Sequence, residues 1–200
     1  MTKPYLTEQF IMDRLRQTEQ DAPEVRAYAE MDFPPGAAFR CAAVLVPLTL
    51  IQDEWHLLFT RRTDIVESHK GQVSFPGGAC DEGEASPEMT ALREAEEEIG
   101  LQPGDLRILG RLSPLITVSS YEVCPIVAVF PSPYTFRVST IEVARVFTIP
   151  LNWLSNRENY WEFTRRDSRS LIAYHPYDGE LLWGATAHMT VTLIKALGSN

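Results

Sequence analysis

Cysteine is scarce in this 200-residue chain: Cys41, Cys80 and Cys124 are an odd number placed far apart. Such usage argues against a disulfide framework, and against a zinc site, which needs clustered ligands, so reduced thiols are expected. Positive charge is also in short supply. Against 27 acidic residues stand 18 Lys and Arg, a net charge of −9, and a surface that repels phosphate excludes nonspecific binding to nucleic acid or anionic membranes. No run approaches the roughly 18–20 apolar residues that cross a bilayer, and the start, Met1-Thr2-Lys3-Pro4-Tyr5-Leu6, has no apolar signal core. A cytoplasmic protein without a membrane partner is expected. Repeats and low-complexity linkers are absent, and 44% hydrophobic residues are enough for one well-buried core.

What is present reads as an α/β chain. After Thr7, Phe10, Ile11 and Leu15 recur at helical spacing, and Pro23, Pro34, Pro35 and Gly36 then mark a loop, so residues 1–36 are predicted to form a peripheral helical arm and 37–200 the main domain. Residues 41–51 are almost continuously apolar and suit a strand buried on both faces, with Pro47 calling for a bulge or a sheet edge. A turn at 52–54 leads into a strand at 56–61. Ser86-Pro87 is a helix start with a capping hydroxyl, and Gly100 is a stop, predicting a helix over 87–99. Strand character follows at 106–112, 122–130, 144–149, 160–164 and 170–174, and 186–197 reads as a closing helix with Met189, Leu193 and Leu197 on one side. One mixed sheet covered by helices accommodates all of this.

The acid is concentrated. Asp81, Glu82, Glu84, Glu88, Glu94, Glu96, Glu97 and Glu98 fall within eighteen residues whose one base is Arg93. On the 87–99 helix, Glu94, Glu97 and Glu98 stand at i, i+3 and i+4 on one face, with Met89, Leu92, Ala95 and Ile99 on the other. Carboxylates gathered this way repel one another, and a divalent cation relieves the repulsion. Oxygen-only ligands suit Mg²⁺ or Mn²⁺, which is held by few carboxylates together with substrate phosphates. Arg93, one turn before Glu97, is placed to orient that carboxylate.

Gly78, five residues, Glu84, and then Arg93-Glu94-Ala95-Glu96-Glu97-Glu98-Ile99-Gly100-Leu101 resemble the Nudix box of the Nudix hydrolases, with eight residues instead of the usual seven between Glu84 and Arg93. That extra residue is shared with the branch similar to coenzyme A pyrophosphatases. The same branch is echoed in Leu58-Phe59-Thr60-Arg61-Arg62-Thr63, in His69-Lys70-Gly71-Gln72-Val73-Ser74-Phe75-Pro76-Gly77-Gly78, in Glu142-Val143 with Phe147 and Pro150-Leu151, and in Trp183-Gly184-Ala185-Thr186-Ala187. Glu67 departs from it, standing where the branch has arginine, and such a reversal of charge is not conservative.

The resemblance implies a Nudix-like α/β/α sandwich with a carboxylate-bearing catalytic helix, and metal-dependent hydrolysis of a diphosphate bridge in a small-molecule nucleotide. It implies Glu94, Glu97 and Glu98 as ligands of Mg²⁺ or Mn²⁺, with the backbone carbonyl of Gly77 or Gly78 completing the shell. Arg93 would be the orienting residue, and Glu94 or Glu97 the general base. Glu142 is either a further carboxylate near the metal or a solvated residue at a helix start. Arg62, His69 and Lys70 are candidate substrate contacts, while Tyr121, Tyr134 and Trp183 either stack on a base or pack in core and rim. Coenzyme A would yield adenosine 3′,5′-bisphosphate and 4′-phosphopantetheine. ADP-ribose, NADH or a nucleoside triphosphate are alternative substrates, and a catalytically silent nucleotide sensor is an alternative role. A monomer or homodimer is expected.

Overall fold

The computed structural model describes residues 6–21, 26–27, 38–65, 70–164 and 170–198. Helix α1 (Glu8–Asp21) and the two-residue β1 (Arg26–Ala27) precede β2 (Arg40–Ile51), β3 (Glu54–Arg62), β4 (Val73–Ser74) and β5 (Gly77–Ala79). Helix α2 (Pro87–Ile99) follows, then β6 (Arg107–Arg111), β7 (Leu115–Ile116), β8 (Tyr121–Val129) and β9 (Val143–Pro150). A short α3 (Leu151–Ser155), the hairpin of β10 (Tyr160–Thr164) with β11 (Ser170–Tyr174), and α4 (Gly184–Ala196) complete the chain. The predicted bounds of α2 and of both hairpin strands coincide with these, the other predicted elements differ by a few residues at their ends, and β1, β5, β7 and α3 have no predicted counterpart.

Strand β2 is the axis of a mixed nine-stranded sheet, parallel to β8 on one side and antiparallel to β3 and β5 on the other. Strand alternation then makes two cores. Ala43 and Leu45 of β2, Leu58 of β3, and Ile126 and Ala128 of β8 lie on one face with Ala91, Ala95 and Ile99 of α2. Val46 and Leu48, Leu57 and Phe59, and Val127 and Val129 lie on the other, with residues of α1, α3 and α4. The architecture is the expected α/β/α sandwich. Ile11 and Leu15 of α1 are fully buried in the second core, and Arg14 Nε donates to Ala196 O at 2.7 Å, so α1 is built into the domain. The 36/37 boundary lies outside the described residues.

The β2–β3 turn has positive φ at both Gln52 (49°) and Asp53 (63°), the geometry that matches the twist of a tight hairpin. Pro47 needs neither a bulge nor an edge. It sits inside the central strand, where pairing with β5 (Ala42 to Val44) has ended and pairing with β3 (Leu48 to Ile51) begins. Leu45 N turns toward that side, to Pro76 O at 2.8 Å, and Leu48 O turns to Phe130 N across the sheet, so by alternation the Pro47 nitrogen faces the gap between partners. No ladder bond is lost there.

The thiol expectation is corrected. Cys41 and Cys80 form a disulfide, while Cys124 is buried and takes no part in it. The two residues are 39 apart in sequence, but β2–β5 pairing sets Ala42 opposite Ala79 and therefore brings Cys41 opposite Cys80. Spacing alone carries no trace of that pairing.

Phe75 anchors the segment that leads into β5. Its ring is 2% exposed and stacks on Phe59 at 4.9 Å, which in turn stacks on Phe147 at 6.0 Å. Phe75→Ala is expected to lower unfolding free energy by about 3–5 kcal/mol, the cost of an aromatic-sized cavity, read as a shift in urea midpoint at constant slope.

Candidate active site

The site is built where α2 crosses β5 and the ends of β3 and β9. Ser86 is the N-cap of α2, but its hydroxyl makes no capping bond and engages the Glu88 carboxylate instead. At the other end Gly100 has φ of 70° and its N–H reaches Glu96 O, closing the helix with a left-handed residue. A Cβ on Gly100 would stand 2.7 Å from Arg137 Cβ, because the 137–142 segment docks there through Arg137 N to Ile99 O and Ser139 N to Glu98 O. That docking delivers Glu142, which lies in a turn before β9 and not at a helix start.

The three helix carboxylates face different surroundings. Glu98 is 3% exposed and Glu97 has 60% of its side chain exposed, with Glu94 between them. Of the expected apolar side, Ala95 and Ile99 are fully buried, joined by Ala91, while Met89 is 49% exposed. Gly78 explains how Glu94 is seated. A Cβ on this residue would come 2.4 Å from Glu94 Oε1, so only glycine leaves the carboxylate its place. Gly77 is pressed against β2 in the same way, with Ala43 O 2.4 Å from where its Cβ would be.

Arg93 binds the site together. Its Nε donates to Glu84 Oε1 at 2.9 Å, one terminal nitrogen to Glu94 Oε1 at 2.9 Å and Glu97 Oε2 at 3.2 Å, and the other to Ala79 O at 3.2 Å. Glu97, the partner expected from spacing, is thus one of several, and Glu84 is the residue the sequence reading passed over. Glu84 also accepts from Thr90 Oγ1 at 2.5 Å and Asp81 N at 2.8 Å. Hydrogen bonds from Arg93, then Thr90 and the Asp81 amide, hold its pKa down to about 2. Its fixed place in the box was the available signal.

Glu98 lies under opposite forces. Burial pushes its pKa up to about 8, opposed by the Arg62 guanidinium, with the Glu94 and Glu142 charges adding to the rise. Burial likewise raises Glu94, against the pull of Arg93. Arg62, at the end of β3, reaches Glu98 Oε1 at a long 3.5 Å, while Glu98 Oε2 and Arg62 Nε are buried with no hydrogen-bond partner. The β3–β9 ladder shifts register between Arg61 and Arg62, a bulge after which Arg62 pairs with Val143. Arg62 N bonds Gln72 O and Gly71 N bonds Thr63 O, which keeps exposed Lys70 at this end of the sheet. His69 and Glu67 lie outside the described residues.

The aromatic candidates are engaged elsewhere or rim the fold. Tyr121 carries the Arg40 guanidinium 4.0 Å above its ring. Tyr134 accepts from Gln102 N at 3.0 Å and donates to Asp105 at 2.9 Å just beyond α2. Trp183 is 40% exposed at the start of α4.

With this geometry in hand, the NUDIX domain family profile matches residues 39–167. The chain is 41% identical over 148 residues to the uncharacterized Nudix hydrolase NudL of Yersinia enterocolitica, covering 73% of this chain and 75% of the relative. To NudL of Yersinia pestis it is 39% identical over 163 residues, covering 80% and 79%. This chain belongs to the Nudix hydrolases. A crystal structure of a MutT/nudix family protein from Enterococcus faecalis shares the fold, with a TM-score of 0.55 at 13% identity over 84% of this chain and 66% of that one.

Nudix hydrolases in general use divalent cations such as Mg²⁺ or Mn²⁺. Among the described residues, no three His, Cys, Asp or Glu side chains converge closely enough to cage an ion by themselves. The donor set still fits a hard cation: Glu98 Oε2 is a buried oxygen without a partner, Glu94 is seated beside Gly78, and every donor is oxygen. Mg²⁺ asks for one or two carboxylates, with water and phosphate oxygens filling the rest. Among the described residues no helix of this Nudix hydrolase is long and apolar enough to cross a membrane.

Glu84 and Glu98 bear on stability with opposite signs. Glu84, with its lowered pKa, contributes stability that is present above the ordinary value of 4.5 and is lost as pH falls toward about 2. Glu98, with its raised pKa, contributes stability that is complete below 4.5 and lost as pH climbs through about 8. In chelator, Glu98→Gln is therefore expected to gain on the wild type between pH 5 and pH 9, by on the order of 1 kcal/mol or about 2–4 °C in Tm for a domain of this size. Parallel melting curves across that range would contradict the assignment.

Proposed function

We propose that this Nudix hydrolase cleaves the pyrophosphate bond of coenzyme A or its derivatives with Mg²⁺ or Mn²⁺, giving adenosine 3′,5′-bisphosphate and 4′-phosphopantetheine. The observation that supports a cation there is the buried Glu98 Oε2, which has no hydrogen-bond partner, on the helix whose Glu94 is seated against Gly78 of β5. Glu94, Glu97, Glu98 and the Gly78 carbonyl would hold the cation. Once bound, it neutralises diphosphate charge and lowers the pKa of water.

The chain's own residues do the rest. Arg93, locked by Glu84, holds Glu94 and Glu97 in orientation. A water oxygen attacks one phosphorus, the bond to the bridging oxygen breaks, and the water's proton passes to Glu94 or Glu97; burial favours Glu94 by raising its basicity. Glu142 adds a further negative charge that couples to Glu94 and Glu98. Arg62, Lys70 and His69 supply the donors that a phosphate-rich substrate needs. Residues 37–200 form the catalytic domain in this reading.

The choice of coenzyme A rests on the likeness of residues 58–63 and 69–78 to that branch. Glu67 favours a second reading, ADP-ribose or NADH on the same carboxylates, because it removes a cation near the substrate. Product analysis with Mg²⁺ or Mn²⁺ and a panel of coenzyme A, acylated forms, ADP-ribose, NADH and nucleoside triphosphates separates the two. Phosphopantetheine release at the highest kcat/KM is expected, and a lead by ADP-ribose or NADH would replace the first reading with the second.

Chelator is expected to abolish turnover. Glu98→Gln should lower kcat by about 10²–10⁴-fold, the range spanned by losing a group that acts on the reacting water. Glu84→Gln, which only loosens Arg93, should cost about 10–100-fold, as supporting partners of ligands do. Full activity in Glu98→Gln would refute the assignment.

A further inference from the structure

The disulfide closes at a point that no part of the hydrolytic reading uses. Strand β5 is held to β2 by three register pairs, Ala42 with Ala79, Ala43 with Gly78 and Val44 with Gly77, and then leaves the sheet. Cys80 is the next residue. Before it stands Ala79, whose carbonyl accepts from Arg93 at 3.2 Å, and after it stand Asp81, 3.4 Å from Arg93 Nε, and Glu84, 2.9 Å from the same atom. The Cys80 tether thus lies between the backbone and carboxylate anchors of the one guanidinium that holds Glu94 and Glu97. Cys41 is exposed and Cys80 partly so, which leaves the bond open to small thiols.

We propose that Cys41–Cys80 is a thiol–disulfide modification site that controls turnover by fixing or releasing the 79–84 segment under Arg93; this rests on the reading that Arg93 positions the reacting carboxylates. The co-reactant is a thiol reductant. Its thiolate attacks Sγ of the more exposed Cys41, the Cys80 thiolate leaves and takes a proton, and a second reductant thiol resolves the mixed disulfide. In sum, one protein disulfide and two reductant thiols give two protein thiols and one reductant disulfide, and an oxidised thiol compound reverses it. The opened form keeps the Cys80 N to Cys41 O bond of 3.0 Å, so the sheet persists while the loop beyond it gains freedom.

The test compares oxidised protein, dithiothreitol-reduced protein and the Cys41→Ser/Cys80→Ser double variant, all full length. Thiol titration after unfolding is expected to give one thiol per chain oxidised and three reduced, since Cys124 lies outside the disulfide. Reduction should raise backbone hydrogen exchange at residues 79–84 at least threefold and lower kcat at least threefold, with KM within twofold and circular dichroism unchanged. The double variant should match the reduced protein and ignore the reductant. Three thiols in protein purified without reductant and exposed to oxidised glutathione, or exchange and kcat unmoved by complete reduction, would overturn the proposal. Should no compound of the substrate panel be turned over in either state, the hydrolytic reading fails and the exchange comparison alone decides this one.

Discussion

Helix α2 lies close on the sheet because the residues it buries are small. Ala91 and Ala95 meet Ala43 and Leu45 of β2, and Ile99 closes the layer. A carboxylate one residue before Ile99 then has nowhere to go but beneath the helix, and Glu98 is 3% exposed as a result. Everything chemical in the molecule follows from this enforced burial. It raises the proton affinity of Glu98, leaves one of its oxygens without a partner, and draws Arg62 in from β3. Removing an ionised carboxylate from water is costly unless a cation compensates. Arg62 at 3.5 Å compensates in part, and a divalent ion of the kind this family uses would do so more fully.

Arg93 solves the complementary problem on the open side of the helix. Several carboxylates in a single turn repel one another, and a guanidinium with a planar fork of donors can satisfy more than one of them at once. It is itself held from three directions: by Glu84, by Asp81 and by the Ala79 carbonyl. The loop between β5 and α2 is therefore more than a connector. Its Asp81 and Glu84 decide where the guanidinium sits, and Gly78 decides how near Glu94 can approach.

The sheet supplies the other half of the site. Phe75 fastens the approach to β5 on the far core, a bulge between Arg61 and Arg62 shifts the register of the β3–β9 ladder at its last pair, and the segment carrying Glu142 hangs on the last carbonyls of α2. Three chain segments distant in sequence meet at one end of β2 by these means.

The linear sequence by itself determined the local features: α2 from Ser86-Pro87 to Gly100, the strands of the β10–β11 hairpin, and the gathering of Glu94, Glu97 and Glu98 on α2. These are legible because helix capping and periodicity act over a few residues. Whatever depends on which strands lie side by side was decided only by the tertiary structure. Pro47 reads locally as a strand breaker, yet its nitrogen faces the change of partners from β5 to β3. Cys41 and Cys80 read as separate thiols, yet one register sets them face to face. Glu94, Glu97 and Glu98 read as one face, yet differ widely in burial because the sheet covers only one side of that face. Strand pairing and solvent exclusion are non-local, so the amount of water left around each carboxylate, and with it each proton affinity, is set by the packed molecule.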